Sequence, residues 1–198
     1  MMRQFLAGIS TLCLTATLLS GCGFSPRVTN YTLNVAASPD TTAPALDPVA
    51  VGPVTLPALL DRPQLVVRTS TNRVEFLEAH RWAEPLKSEI PRIIAADLTL
   101  LLNQSLVSAY PQNTGLESDY RVLVDIQRFE MTAGEGVSLE ALWSVRRKAE
   151  GTPQNGRTMI SEPEKSSGYE GLVAAQSRAL AALSRDLAKA LRAAAAAK

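Results

Sequence analysis

Two alternating runs placed back to back constrain this chain more than any other feature. Val122, Val124 and Ile126 take every second position in the stretch Tyr120 to Met131. Val137, Leu139, Ala141, Trp143 and Val145 do the same just beyond the turn Ala133-Gly134-Glu135-Gly136. Successive side chains of a strand point to opposite faces, so a two-residue period over this length predicts a long hairpin with one apolar face. A hairpin cannot bury that face alone and needs further strands beside it and helices across it. The first run changes parity at Phe129 and Met131, which predicts either a bulge or a strand covered on both sides.

The helices needed as cover are legible. From Leu86 to Leu106, Ile90, Ile93, Ile94, Leu98, Leu101 and Leu102 recur at the three-and-four spacing of one helical stripe. Pro91 fits the first turn, where backbone donors have no partners, so the helix is expected to start near Ser88. A second helix is expected from about Tyr169 to Ala195. Its stripe is Leu172, Leu180, Leu183, Leu187 and Leu191, while Arg178, Arg185, Lys189 and Arg192 face elsewhere.

Shorter strands are expected at Val28 to Val35 and at Val49 to Val54, the latter bent at Gly52-Pro53 as an edge or a bulge. Gln64 to Thr69 and Arg73 to Glu78 form a second hairpin, and a last strand runs from Arg157 to about Ser161 after a tight turn at Asn155-Gly156. Ala36 to Pro48, rich in Pro, Ala, Asp and Thr without any period, reads as a surface loop. The fold class is α/β of the α+β type. It is a single domain in which an antiparallel-rich sheet carries two long helices packed on one face.

The N-terminus is of a different kind. Met1-Met2-Arg3-Gln4 carries one positive charge, and an apolar run from Phe5 to Leu19 follows, about 15 residues against the ~20 that span a bilayer. The run closes in Leu19-Ser20-Gly21-Cys22, which resembles the lipobox of bacterial lipoproteins. The expected organisation is a signal peptide over 1–21, a lipidated tether over 22–27 and a domain over 28–198. Cys22 would carry an S-diacylglyceryl group and an N-acyl chain such as palmitate, an anchor that acyl chains at ~0.8 kcal/mol per buried methylene make permanent. Five or so residues then separate the anchor from the first strand, under about 20 Å of reach. Gly23-Phe24 follows the cysteine where inner-membrane-retained lipoproteins of enterobacteria carry Asp, which favours the outer membrane.

No recognisable catalytic motif or metal-ligand cluster emerges. The two cysteines are Cys13 and Cys22, so the body has neither a disulfide nor a thiolate metal site. Nucleophile-elbow, zinc-protease and Gly-rich phosphate motifs are absent. His80 is the single histidine; beside Glu78 or Glu84 it could act as a base, and as a lone imidazole it reads as a packing residue. Glu75, Glu78 and Glu84 read either as an acid–base pair or as a solvated strand edge. Twenty Lys and Arg against 19 Asp and Glu leave no cationic footprint for nucleic acid. The expectation is a non-enzymatic protein with no cofactor beyond its covalent lipid and no metal.

His80-Arg81-Trp82-Ala83-Glu84-Pro85-Leu86, Ile90-Pro91-Arg92-Ile93-Ile94-Ala95 and Ala109-Tyr110-Pro111 together resemble the ABC-type transport auxiliary lipoproteins of the PqiC (YmbA) family. So do Asp61-Arg62-Pro63-Gln64-Leu65, Tyr120-Arg121-Val122 with Phe129, and Ser177 to Ser184 on the last helix. The resemblance implies an outer-membrane lipoprotein on the periplasmic face that serves a phospholipid-transport system and supports envelope integrity. Its partners would be an MCE-domain tunnel protein and, through it, an inner-membrane permease, and assembly of the body into a homo-oligomeric ring stays open. Within this picture Arg81, Trp82, Glu84, Pro85 and Leu86 are either a docking surface or a packed strand-to-helix corner. The rival is a stand-alone periplasmic lipoprotein that holds a lipid or apolar ligand in a cavity between sheet and helices. If the first helix turns its stripe inward, Leu98→Ala should lower the unfolding free energy by about 2–5 kcal/mol, measured by urea denaturation.

Overall fold

The hairpin forms, and the remaining strands build outward from it. The computed structural model describes residues 27–42, 46–103, 106–110, 117–148 and 152–196, so the expected signal peptide over 1–21 and the expected lipidation site Cys22 lie outside the described residues. Along the chain come β1 (Thr29–Tyr31), β2 (Val49–Thr55), β3 (Gln64–Ser70), β4 (Arg73–Trp82) and α1 (Leu86–Leu101). They are followed by β5 (Val107–Ala109), β6 (Tyr120–Thr132), β7 (Gly136–Arg147), β8 (Gln154–Pro163) and α2 (Tyr169–Ala196). The described strands make one mixed sheet. β7 runs antiparallel along one edge of β6 from Tyr120 to Thr132. The other edge is shared, β2 lying parallel to Tyr120–Asp125 and β3 parallel to Met131–Thr132. β4 and β1 extend the sheet beyond β3, β5 extends it beyond β2, and β8 beyond β7.

The parity change inside β6 is resolved by a bulge. The β6–β7 register slips between Ile126 and Arg128, and with Gln127 as the extra residue Val122, Val124, Ile126, Phe129 and Met131 are all buried in one core. The facing stripes of α1 and α2 complete that core, and Ile90, Ile94, Leu98, Leu180, Leu183, Leu187 and Leu191 are fully buried. Trp143 ties β7 to α2 in a relay: its indole N–H donates to Thr158 Oγ1 at 3.0 Å, and the Thr158 hydroxyl donates to Asp186 Oδ2 at 3.0 Å.

Three local expectations are corrected, and one pair of alternatives is decided. At Gly52-Pro53 the bulge holds and the edge does not: β2 is flanked by β5 and β6, and the cis Gly52-Pro53 bond sits at a register shift between Val51 and Val54. Gly52 has φ +120 and its missing Cβ would lie 3.0 Å from that of Tyr110, so glycine is needed there. Asn155-Gly156 lies inside β8 rather than in a turn, because Gly156 opposes Trp143 and a Cβ there would collide with the indole ring. Helix α1 begins at Leu86, and Pro91 falls in its second turn, where it forgoes one backbone bond. The first strand ends at Tyr31, and β5, too short to show a period, was not anticipated.

Beyond Tyr31 the chain leaves the sheet as a strap along the seam between the helices. The Leu33 N–H donates to Glu89 Oε1 at 2.9 Å and Thr32 donates its hydroxyl to the same oxygen. Asn34 N–H reaches Ser177 Oγ at 3.1 Å, and the Ala36 and Ala37 N–H groups both reach Asp97 Oδ1 at 3.1 and 3.0 Å. Arg192 closes the far end on Asp40 at 2.9 Å. Leu33 and Ala37 are buried outside any ladder, so their N–H groups need partners elsewhere, and helix α1 supplies carboxylate acceptors for both. Burial pushes the Asp97 carboxyl above the ordinary carboxylate range, against the pull of the Ala37 and Ala36 N–H groups and the Ser184 hydroxyl.

The sign follows from that direction. A carboxyl raised on folding binds its proton more tightly in the native state, so its contribution is full below the unfolded value and is lost as pH rises through the native one. Asp97→Asn, which keeps an acceptor for the strap, should flatten the stability–pH curve between the unfolded and native values and leave stability above that window equal or higher. Asp97→Leu should cost about 1–3 kcal/mol for each orphaned N–H. Urea denaturation over a pH series reads both.

Candidate functional site

The corner where β4 passes into α1 brings the candidate docking residues together. Parallel pairing with β1 carries β4 out to Trp82, with Asn30 opposite Arg81 and Tyr31 opposite Trp82. The Trp82 N–H then donates to the Pro63 carbonyl at 2.7 Å and the Ala83 N–H to that of Tyr31 at 2.8 Å, which holds the exit from the strand on both sides. Pro85 takes an extended conformation (φ −58, ψ 128) at the N-cap, and its carbonyl receives the N–H groups of Ser88 and Glu89. No side chain caps this end of the helix, and Pro85 contributes its fixed φ and its carbonyl.

Burial divides the segment. Trp82 is 6% exposed and Leu86 2%, and both belong to the core, whereas Ala83, Glu84 and Pro85 stand out as an exposed ledge between them. With Asp61, Arg62 and Pro63 this ledge surrounds a recess of about 290 Å³. Arg62 is held in place, its Nε donating to the Leu59 carbonyl at 2.8 Å and its guanidinium lying 4.0 Å from the Phe76 ring centroid. Arg81 folds back on Glu78 at 3.4 Å, and Glu84 pairs with Arg92 at 2.7 Å. Exposed pairs of this kind contribute about 0–1 kcal/mol, so they orient charge around the recess more than they hold the fold.

The other candidates are placed elsewhere. His80 packs against aromatic rings: its Nδ1 lies 2.9 Å from the Tyr31 hydroxyl and its ring centroid 4.4 Å from that of Tyr169. Glu78 is occupied by Gln64 and Arg81, Glu84 by Arg92, and Glu75 faces solvent, so the three carboxylates do not form a pair around His80. Among the described residues no group of three or more His, Cys, Asp or Glu could hold a metal ion, and no helix is long and apolar enough to cross a membrane. Glu89 and Asp97, which hold the strap, were not singled out as site residues; the available signal was two acids set within the apolar stripe of α1.

Comparison with known proteins follows the same geometry. The family model described as "ABC-type transport auxiliary lipoprotein component" matches residues 31–188. A crystal structure of an uncharacterized protein superposes with TM-score 0.65 at 19% identity, covering 82% of this chain and 97% of that one. Protein XCC0632 from Xanthomonas campestris, assigned to the family model DUF330, superposes with TM-score 0.65 at 17% identity, covering 81% and 92%. At these identities the two structures establish the fold. No curated protein matches the chain significantly.

The split in burial separates two substitutions. Trp82→Ala should lower the unfolding free energy by about 3–5 kcal/mol, because it empties a core position. Arg81→Ala should leave it within about 0.5 kcal/mol. Thermal denaturation of the two variants side by side measures the difference.

Proposed function

Because the chain belongs to the family of ABC-type transport auxiliary lipoprotein components, we propose that it is the lipid-anchored docking element of an MCE-type phospholipid-transport system. In this reading Cys22 is acylated after cleavage of residues 1–21, and the body stands on the periplasmic face of the outer membrane. The partner is an MCE-domain tunnel protein linked to an inner-membrane permease. The chain itself performs no catalysis and carries no cofactor beyond its lipid.

One observation supports docking over enclosure. The corner presents an exposed ledge, Ala83-Glu84-Pro85, on two buried plugs, so a partner would meet a surface already rigid. Ordering loses little on binding to such a surface, and that favours recognition. The rival carrier needs room between sheet and helices, where Leu98, Leu180, Leu183 and Phe129 are packed to 0–1% exposure.

Two measurements test the reading. Intact mass of the native product should give a chain beginning at diacylglyceryl-modified, N-acylated Cys22, and Cys22→Ala should leave the protein out of the membrane fraction. The lipidated protein should co-purify with an MCE-domain protein of the same envelope, and Arg81→Ala combined with Glu84→Ala should weaken that association at unchanged melting temperature. A wild-type protein that carries phospholipid and binds no such partner would instead establish the carrier.

A further inference from the structure

The sheet face turned away from the helices carries a second surface. Elsewhere on that face arginines meet carboxylates: Arg128 and Arg157 flank Glu140, and Arg68 meets Glu130. Arg121 and Arg146 depart from this arrangement. They are register partners across β6 and β7 and both are exposed. Like charges set directly opposite in an antiparallel ladder destabilise it. Among the described residues neither makes an ion pair; Arg121 lies 6.0 Å from the centroid of the Tyr110 ring, and Arg146 Nε reaches Ser144 Oγ at 3.5 Å.

Beside this cationic pair the sheet dips into a depression of about 450 Å³. Pro53, Leu123 and Leu142 give it apolar walls, and the polar residues around it include Asp125, whose carboxylate already accepts from Thr55 and Gln127. Tyr110 is 46% and Leu142 45% exposed, so apolar area stands open next to two unneutralised cations.

We propose that this face receives an acidic, apolar segment of a partner polypeptide. A carboxylate would bridge Arg121 and Arg146 while a neighbouring aliphatic or aromatic side chain fills the depression along Leu123 and Leu142. Arginine forks suit a carboxylate, and Tyr and Arg around an apolar centre are the composition of binding hot spots. A lipid chain fits less well, since small ligands are held where most of their surface is enclosed and this depression is open. A second copy meeting it patch to patch would set these arginines against themselves.

The choice of probe rests on the docking role proposed above, and the substitutions separate the two ideas. Arg146→Glu converts the like-charge pair into an opposite-charge pair, so its melting temperature should equal or exceed that of wild type, while Kd for the MCE-domain protein rises about 10-fold or more. Leu142→Asp should weaken binding likewise. If wild type binds and both variants bind equally well, this surface is overturned and the docking role stands; if wild type does not bind, the docking role fails. A photo-crosslinking residue at Ser144 of the full lipidated chain then decides the surface by itself. Capture of a peptide with Asp or Glu next to apolar residues supports it. Capture of phospholipid alone, of a second copy alone, or of nothing overturns it.

Discussion

The pairing of β6 on both edges is the constraint on which the other elements depend. One edge is taken along its whole length by β7, and the other is divided between β2 and β3, so the two wings of the sheet meet only through this strand. The strand is thirteen residues long, and its two apolar halves are out of phase. The slip at Gln127 restores the phase, and without it Phe129 and Met131 would point away from the helices. The same slip sets the opposite face, where Arg121 and Leu123 precede it and Arg128 and Glu130 follow.

Given that sheet, the helices have little freedom. Helix α1 must begin where β4 ends, because Trp82 and Leu86 enter the core on either side of a three-residue ledge. The ledge is exposed for the same reason: its neighbours are spent on packing. The strap then uses acids on α1 and a hydroxyl on α2 as acceptors, so the segment leading to the N-terminus is held by the helices and β1, and not by the sheet's main ladders.

Much of this was legible in the sequence. The Tyr120–Val145 hairpin and both helices follow from periodicity, because each is long enough for its period to repeat several times. The parity change at Phe129 left a bulge and a strand covered on both sides open until the register placed the slip at Gln127. What escaped notice depends on contacts between distant residues. Nothing local marks Gly156 as space for an indole ring on the neighbouring strand, since Asn-Gly reads as a turn until Trp143 is placed over it. Val107–Ala109 is too short for any period and becomes a strand only because β2 lies beside it. The β4–α1 corner was visible as a motif, yet its division into plug and ledge needed the register of β1 on β4. Arg121 and Arg146 look unremarkable until the hairpin sets them face to face.

The strap also bears on the order in which the molecule can assemble. Asn34 finds its acceptor at Ser177, 143 residues later, and Asp40 meets Arg192 across 152 residues. Contacts so remote in the chain close late, because the loop-closure entropy must be offset before they form. The strap therefore settles only once the last helix has formed, although it stands among the first described residues of the chain.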